Sequence, residues 1–273
     1  MNTLNRSQLR ARYRITGRIV LDTALHIGGR EAATVTDSPI IRDGAGRPFI
    51  PGSSLKGAFR AAVERILPNL PGWRTCSLSD ADDACASQLR ERTRDQRLTE
   101  DQMLSLLDEI LCDTCRTFGT SHLASVAFFH DAPLAEVWRE LPEIPAQIRD
   151  GVGIDRDSER ARDGIKFDFE TIPPQVSFDF SLMLENPGER DKGLVALGLQ
   201  EFMAGMIPLG GIRSRGLGRC HLEGVTVESV DFSNLAALQN YLLKGEQGWQ
   251  EQAIDDFIRS NLAVLLKQEA NHV

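Results

Sequence analysis

Hydrophobic and polar positions alternate along residues 12–25, where Tyr13, Ile15, Gly17, Ile19 and Leu21 interleave with Arg14, Thr16, Arg18 and Asp22. A period of two predicts an early core strand. The period changes after Pro51 and Gly52: Leu55, Phe59, Val63 and Ile66 recur at helical spacing and predict a helix over 52–67, with Ser53 or Ser54 as its cap. Between strand and helix lie paired glycines, three X-Pro steps and the polar run TDSPIIRD, more than a plain connection needs. Further on, Met103, Leu106, Leu107 and Ile110 mark a short amphipathic helix over 102–111, and LASVAFFH reads as a strand over 123–130 that pairs with the first strand or its neighbours. Two arms, GVGID and IKFDFETI, flank a polar tip with Arg156, Arg160 and Arg162 and predict a long hairpin over 150–172. Alternation resumes from Val176 to Leu184, a turn follows over 186–190, and a second long helix is expected over 193–206. A final strand follows the glycine-rich GMIPLGGIRSRGLGR, and residues 235–270 read as a helical tail with Phe257, Leu262, Leu265 and Leu266 packing locally or onto a neighbour. Strands mixed with two long helices predict an α+β fold, a sheet covered by the first helix.

Composition narrows this picture. With 273 residues and a hydrophobic fraction of 41%, the chain can form one enlarged domain or two small ones around a real core. A net charge of −8 argues against coating nucleic acid by bulk attraction, and leaves room for a local basic groove. No stretch is long and apolar enough to span a membrane, and the start MNTLNRSQLRARYR lacks the apolar centre of a secretion signal, so a cytoplasmic protein is expected. Residues 68–120 depart in composition from what precedes them and read as an insertion carrying Cys76, Cys85, Cys112 and Cys115, the last two as a CxxC. In a reducing compartment these thiols fit one tetrahedral, structural zinc ion better than a disulfide framework. Whether His122 replaces one of them stays open. Cys220 has no cysteine neighbour and reads as a buried strand residue.

Candidate chemistry clusters in the loops. Asp37 precedes Ser38 and Pro39, which favours an extended backbone presenting the carboxylate, while Asp43 in DGAGRP reads as a turn residue. Lys56 and Arg60 rise from the first turns of a helix, near exposed backbone donors, where a phosphate chain can be held. Arg213, Arg215 and Arg219 place cations beside glycines that let a backbone approach closely. His130 and Asp131 read as turn residues.

Taken together, LHIGG, TDSPIIRD, FIPGSSLKGAFR, CDTCRTFG, GVGIDRDSERARDGIKFDFE and PLGGIRSRGLGR closely resemble the repeat-associated mysterious protein superfamily, specifically backbone subunits of type III CRISPR effectors, over residues 12–228. The resemblance implies a single domain over 1–273, a modified RNA-recognition-motif (ferredoxin-like) fold, with the 150–172 hairpin as a thumb. It implies subunits that polymerise along guide RNA beside other effector subunits and meet complementary target RNA. The RNA-contacting set taken from these motifs is His26, Ser53, Ser54, Lys56, Arg60, Arg156, Arg160, Lys166, Arg213, Arg215 and Arg219. By position, Asp37 corresponds to the family's cleavage aspartate, either binding magnesium or manganese or assisting proton transfer. A non-catalytic, guide-binding role is the alternative; guide processing is disfavoured because histidine and lysine do not group near the terminal glycine loop.

Overall fold

The computed structural model describes residues 6–29, 36–77, 79–80, 82–94, 97–141, 146–154 and 161–266. In chain order the first elements are β1 (Ala11–Leu21), β2 (Phe49–Ile50), α1 (Gly52–Ile66), α2 (Cys85–Thr93), α3 (Glu100–Ile110) and α4 (Asp113–Phe118). β3 (Ala127–Phe129), β4 (Ala132–Pro133), α5 (Glu136–Arg139), β5 (Gln147–Ile154), β6 (Ala161–Thr171) and β7 (Ser177–Glu185) follow. α6 (Glu189–Met203), β8 (Cys220–Asp231), α7 (Leu235–Lys244), β9 (Gln250–Gln252) and α8 (Ile254–Leu266) complete the chain.

Five strands form one antiparallel sheet in the order β3-β7-β1-β8-β9. Taking β1, α1, β3, β7, α6 and β8 alone gives the βαββαβ connectivity of a ferredoxin-like domain. One face of the sheet is the core side: Ile15, Ile19 and Leu21 of β1 and Phe178, Phe180, Leu182 and Leu184 of β7 are fully buried beneath α1 and α6. Those helices cross closely because position 198 is glycine; a Cβ there would stand 2.1 Å from a ring carbon of Phe59. The other face of β1 carries Arg12, Arg14 and Arg18, ion-paired to Glu185, Glu228 and Glu223 on its neighbours.

Several boundaries move from the sequence expectation, each for a local reason. β1 stops at Leu21, because the Asp22 and Thr23 N–H groups turn to donate to the Arg219 carbonyl. Ser53 and Ser54 lie inside α1 and do not cap it; Pro51 is the cap residue, and the Gly52 N–H is met by Asp131 Oδ1 at 2.7 Å. The cap thus comes from the segment after β3, not from the helix's own sequence. The strand expected over 123–130 contracts to three residues, and it pairs with β7, a neighbour of β1, as the pattern anticipated. α6 starts at Glu189 instead of residue 193, since Asp191 reaches back to the Gly188 N–H and two acidic residues occupy the first turn; it ends at Met203.

The segment after β8 is more than a helical tail. β9 pairs with β8, and α8 packs on α6 with Phe257 and Leu265 buried while Leu266 faces out. Residues 267–270 of the expected tail lie outside the described residues. β5 and β6 pair as a two-stranded antiparallel ribbon of their own, from Gln147↔Thr171 to Ile154↔Ala161. Among the described residues, no helix is long and apolar enough to cross a membrane.

Candidate functional site

The loop after β1 is held by the base of the β5–β6 ribbon and by the glycine-rich loop before β8. Residues 37–42 lie along β6, with Ser38 bridged to Phe169 in parallel sense. Asp37 N–H donates to Asp168 Oδ1 at 2.8 Å, and Asp168 N–H donates back to Asp37 Oδ2 at 3.1 Å. Two residues on, Glu170 accepts from the Ile40 N–H (3.0 Å) and from Arg42 Nη2 (2.5 Å). The alternation in KFDFE places Asp168 and Glu170 on the side of β6 that meets the loop, and buries Phe169 on the other. Asp37 itself is exposed, as the reading of TDSP expected.

His26 sits where these segments meet. Its ring is only 8% exposed and stands edge-on to Phe169, 5.6 Å between centroids. Nδ1 lies 2.7 Å from the Glu170 carbonyl, which can only accept, so Nδ1 carries the proton; Nε2 then faces Ser38 Oγ at 3.3 Å. His26 therefore acts as a brace between loop and ribbon in this structure, its ring nitrogens already engaged. Its own carbonyl receives the Gly211 N–H at 2.9 Å.

That last bond begins the anchoring of the glycine loop. Gly218 donates to Ala24 and accepts from Leu209, and both Gly210 (φ +73) and Gly218 (φ +82) take left-handed backbone. A Cβ would meet the His26 carbonyl oxygen at 2.2 Å from position 210 and the Leu209 oxygen at 2.0 Å from position 218. Held at this neck, the loop exposes Arg213, Arg215 and Arg219. The Arg215 guanidinium stands 5.8 Å from the centre of the Phe167 ring on β6, within cation–π reach.

The remaining expected contacts separate. Lys56 lines a groove of about 500 Å³ with Arg12, Ser53, Phe128, His130 and Met183. Its ammonium is held below the usual lysine range, first by burial and then by Arg60. Ser54 is half-buried on the same first turns of α1. Arg12 opens β1 while His26 follows its end, so Lys56 and the loop arginines do not close around one phosphate. Arg60 is not an exposed cation at all: it is 9% exposed and bound to Glu64 Oε1 at 2.7 Å, the Gly119 carbonyl at 3.2 Å and Cys115 Sγ at 3.4 Å. Its place on the buried side of α1 follows from spacing, since it neighbours Phe59 and lies one turn before Val63 and Glu64. Arg156 and Arg160 lie outside the described residues; Lys166 falls on the β6 backbone opposite Val152, its side chain likewise outside them.

The four insertion cysteines converge. All are buried, and their Sγ atoms lie within 4.8 Å of one another. A tetrahedral tetrathiolate site with metal–sulfur bonds of about 2.3 Å needs sulfurs about 3.8 Å apart, so the cluster fits a metal ion. Cys76 Sγ and Cys115 Sγ are 3.5 Å apart, far beyond a disulfide bond. Hydrogen bonds from Cys115 and Cys85 lower the Cys112 thiol, while the same crowding raises Cys115, and Cys85 to about 12. His122 is not among the clustered donors; its Nδ1 lies 3.0 Å from Ser121 Oγ. Cys220 is buried in β8, its thiol raised to about 12 by desolvation.

Asp131, Asp168 and Glu170 were not among the expected site residues. For the last two the signal was present, as carboxylates two apart in an alternating strand; for Asp131 no local signal marks a cap supplied to a helix 79 residues earlier.

Comparison with known proteins places the chain among its relatives. The CRISPR system Cms endoribonuclease Csm3 of Streptococcus thermophilus is 28% identical over 246 residues, covering 86% of this chain and 98% of that protein. The Methanocaldococcus jannaschii protein of the same name is 50% identical over 60 residues, 21% of this chain and 24% of its own length. That of Enterococcus italicus is 41% identical over 68 residues, 23% of this chain and 32% of its length. Full-length similarity to the first and dense local identity to the others make the chain a homologue of Csm3-type backbone subunits of type III effectors. The RAMP superfamily pattern matches residues 18–221, from within β1 to the start of β8, and the chain belongs to that superfamily.

Proposed function

We propose that this chain is a guide-RNA-binding backbone subunit of a cytoplasmic type III CRISPR effector, and that it cleaves complementary target RNA beside Asp37. The observation that carries this reading is the exposed Asp37 carboxylate, pinned to β6 by reciprocal bonds with Asp168 and flanked by the segment that anchors Arg213 and Arg215. Full-length similarity to a protein named an endoribonuclease supports the activity.

In this reading the glycine loop holds guide phosphates through Arg213, Arg215, Arg219 and exposed amides, and the groove at Lys56 and Ser53 holds another. Lys56 suits an anion, because a phosphate would relieve the penalty that burial and Arg60 place on its charge. Base pairing with the guide supplies sequence selection. The β5–β6 ribbon serves as a thumb that displaces one target nucleotide toward Asp37, and copies of the chain repeat this along the guide, next to other effector subunits. A target ribose 2′-hydroxyl in line with the leaving 5′-oxygen attacks the phosphorus between them; the P–O5′ bond breaks, giving a 2′,3′-cyclic phosphate and a 5′-hydroxyl. Asp37 offers the hard oxygen donors that suit magnesium or manganese, and such an ion supplies charge neutralisation at the phosphate. The cysteine cluster holds structural zinc, remote from this step.

Reconstitution of the guide-bound effector with matched target RNA tests the reading. Asp37→Ala is expected to assemble and bind target normally but to cleave at least about 100-fold more slowly, the scale of a lost acid–base or metal-binding group. Combined Lys56→Ala, Arg213→Ala and Arg215→Ala is expected to weaken guide binding and flatten its salt dependence. Cleavage by Asp37→Ala at the wild-type rate would remove Asp37 from the chemistry, and wild-type effectors that bind but never cut would leave the chain a guide-binding scaffold.

A further inference from the structure

Arg60 is the buried arginine among the described residues, and it touches the cysteine cluster. Each edge of its guanidinium has a different partner: Nε meets Glu64 Oε1, Nη1 meets the Gly119 carbonyl, and Nη2 meets Cys115 Sγ. The plane is therefore fixed from three sides, and one N–H is aimed at sulfur. Other bonds to the cluster come from neutral groups of the insertion. Cys112 N–H donates to Cys85 Sγ at 3.4 Å, Cys115 N–H to Cys112 Sγ at 3.5 Å, and Thr114 Oγ1 lies 3.2 Å from Cys112 Sγ. Arg60 differs in two ways. It is charged, and it comes from α1, outside the insertion.

Four thiolates outweigh the charge of one divalent ion, so a filled cluster is a buried anion, and a buried anion is stable only with compensating donors or charge. We propose that Arg60 is the cationic outer partner of the metal centre: it neutralises and orients the Cys115 thiolate, and through it the metal locks α1, the helix that carries Lys56 one turn earlier, to the insertion. This rests on the reading that the cysteines hold a metal ion. It moves Arg60 from the RNA surface to the metal site.

Cobalt substitution reads the sulfur directly, because the sulfur-to-cobalt charge-transfer band reports how tightly each thiolate holds its electrons. In Arg60→Met the lost N–H···S bond is expected to shift that band to longer wavelength and to speed chelator-driven cobalt release about tenfold, the low end of what outer-shell partners contribute. Arg60→Lys keeps the charge without the fork, so its band is expected between the two, and it carries the same test if Arg60→Met does not fold. Glu64→Gln removes the other ion pair and is expected to leave the band near wild type. Amide exchange in 55–63 is expected to slow on metal loading in wild type and to respond less in the Arg60 variants. Wild-type protein that takes up no cobalt overturns the metal reading and this proposal with it. Cobalt-loaded Arg60 variants with the wild-type band and release rate overturn the proposal alone.

Discussion

Around Cys115 the chain hides its polar groups, whereas around Asp37 it displays one. In the insertion, the four cysteines pack with Leu89, Leu107, Ile110 and Leu111 in a cluster separate from the main core. That cluster is small, and α2 and α3 expose most of their remaining surface, so hydrophobic burial alone gives little to hold them. By contrast, the loop carrying Asp37 sends Ile27 and Ile40 into the main core, and Asp37, Ile40 and Arg42 are hydrogen-bonded to Asp168 and Glu170 of β6. A carboxylate that must meet a partner cannot be buried; Asp37 is held instead by its backbone N–H, which donates to Asp168, and by Oδ2, which accepts from the Asp168 N–H. The difference teaches that rigidity at an exposed site is obtained from neighbours fixed in the paired β5–β6 ribbon, and that a core-poor insertion draws four cysteines to one point, the centre that the proposed metal ion would occupy.

The largest effect is expected from breaking that centre. Chelation, or Cys112→Ser, is expected to unfold 73–118 locally while the five-stranded sheet persists, because metal binding to such clusters is worth on the order of 10 kcal/mol in small zinc modules. Hydrogen exchange checks this: protection is lost in α2 and α3 and kept in β1, β7 and β8. Uniform loss across the chain would show that the insertion and the sheet form one cooperative unit.

Next in size is the glycine neck on the exposed side of the comparison. Gly218→Ala forces a Cβ to 2.0 Å from the Leu209 oxygen on left-handed backbone, a clash that requires the neck to open. Gly216→Ala, also left-handed but with open space around it, carries only the backbone penalty of about 1–2 kcal/mol. Urea unfolding is expected to rank Gly218→Ala as the more destabilised by at least about 1 kcal/mol, and RNA titration to rank it the weaker binder because Arg213 and Arg215 lose their anchor. Equal midpoints would mean the neck is looser than its bonds to Ala24 and Leu209 imply.

Periodicity made the sheet and its two covering helices legible, because Ile15, Ile19, Phe178 and Phe180 keep a strict period of two and Leu55, Phe59 and Val63 keep a helical one. CxxC spacing and two more cysteines in the same polar stretch were enough to anticipate the cluster. What local sequence could not carry was choice of partner. Arg60 and Lys56 are four residues apart with the same charge, yet one packs against Cys115 and the other lines a groove, a difference fixed only when the insertion folds back onto α1. His26, which the family resemblance placed among the RNA contacts, is buried because the ribbon base and the glycine loop both close on it. Ser53 and Ser54 look like caps, and lost that role to an aspartate brought in by tertiary structure.

The smallest effect on stability is expected at Asp168, and it sharpens the comparison most. Each of its two bonds to Asp37 joins a carboxylate to a backbone amide near the surface, so losing one is worth about 1 kcal/mol or less. Asp168→Asn keeps an oxygen able to accept from the Asp37 N–H and removes the charge; Asp168→Ala removes both, and either variant retains the Asp168 N–H that holds Asp37 Oδ2. If β6 serves only to place the loop, Asp168→Asn is expected to unfold within about 0.5 kcal/mol of wild type and to cleave target RNA at close to its rate. Asp168→Ala is then expected to cleave several-fold more slowly with target affinity unchanged, since an Asp37 that wanders lowers the rate of the step without weakening the guide–target duplex. Should the asparagine variant instead lose as much activity as Asp37→Ala and demand more divalent ion, the second carboxylate takes part in the chemistry, and the pair is a shared site rather than a support and its load.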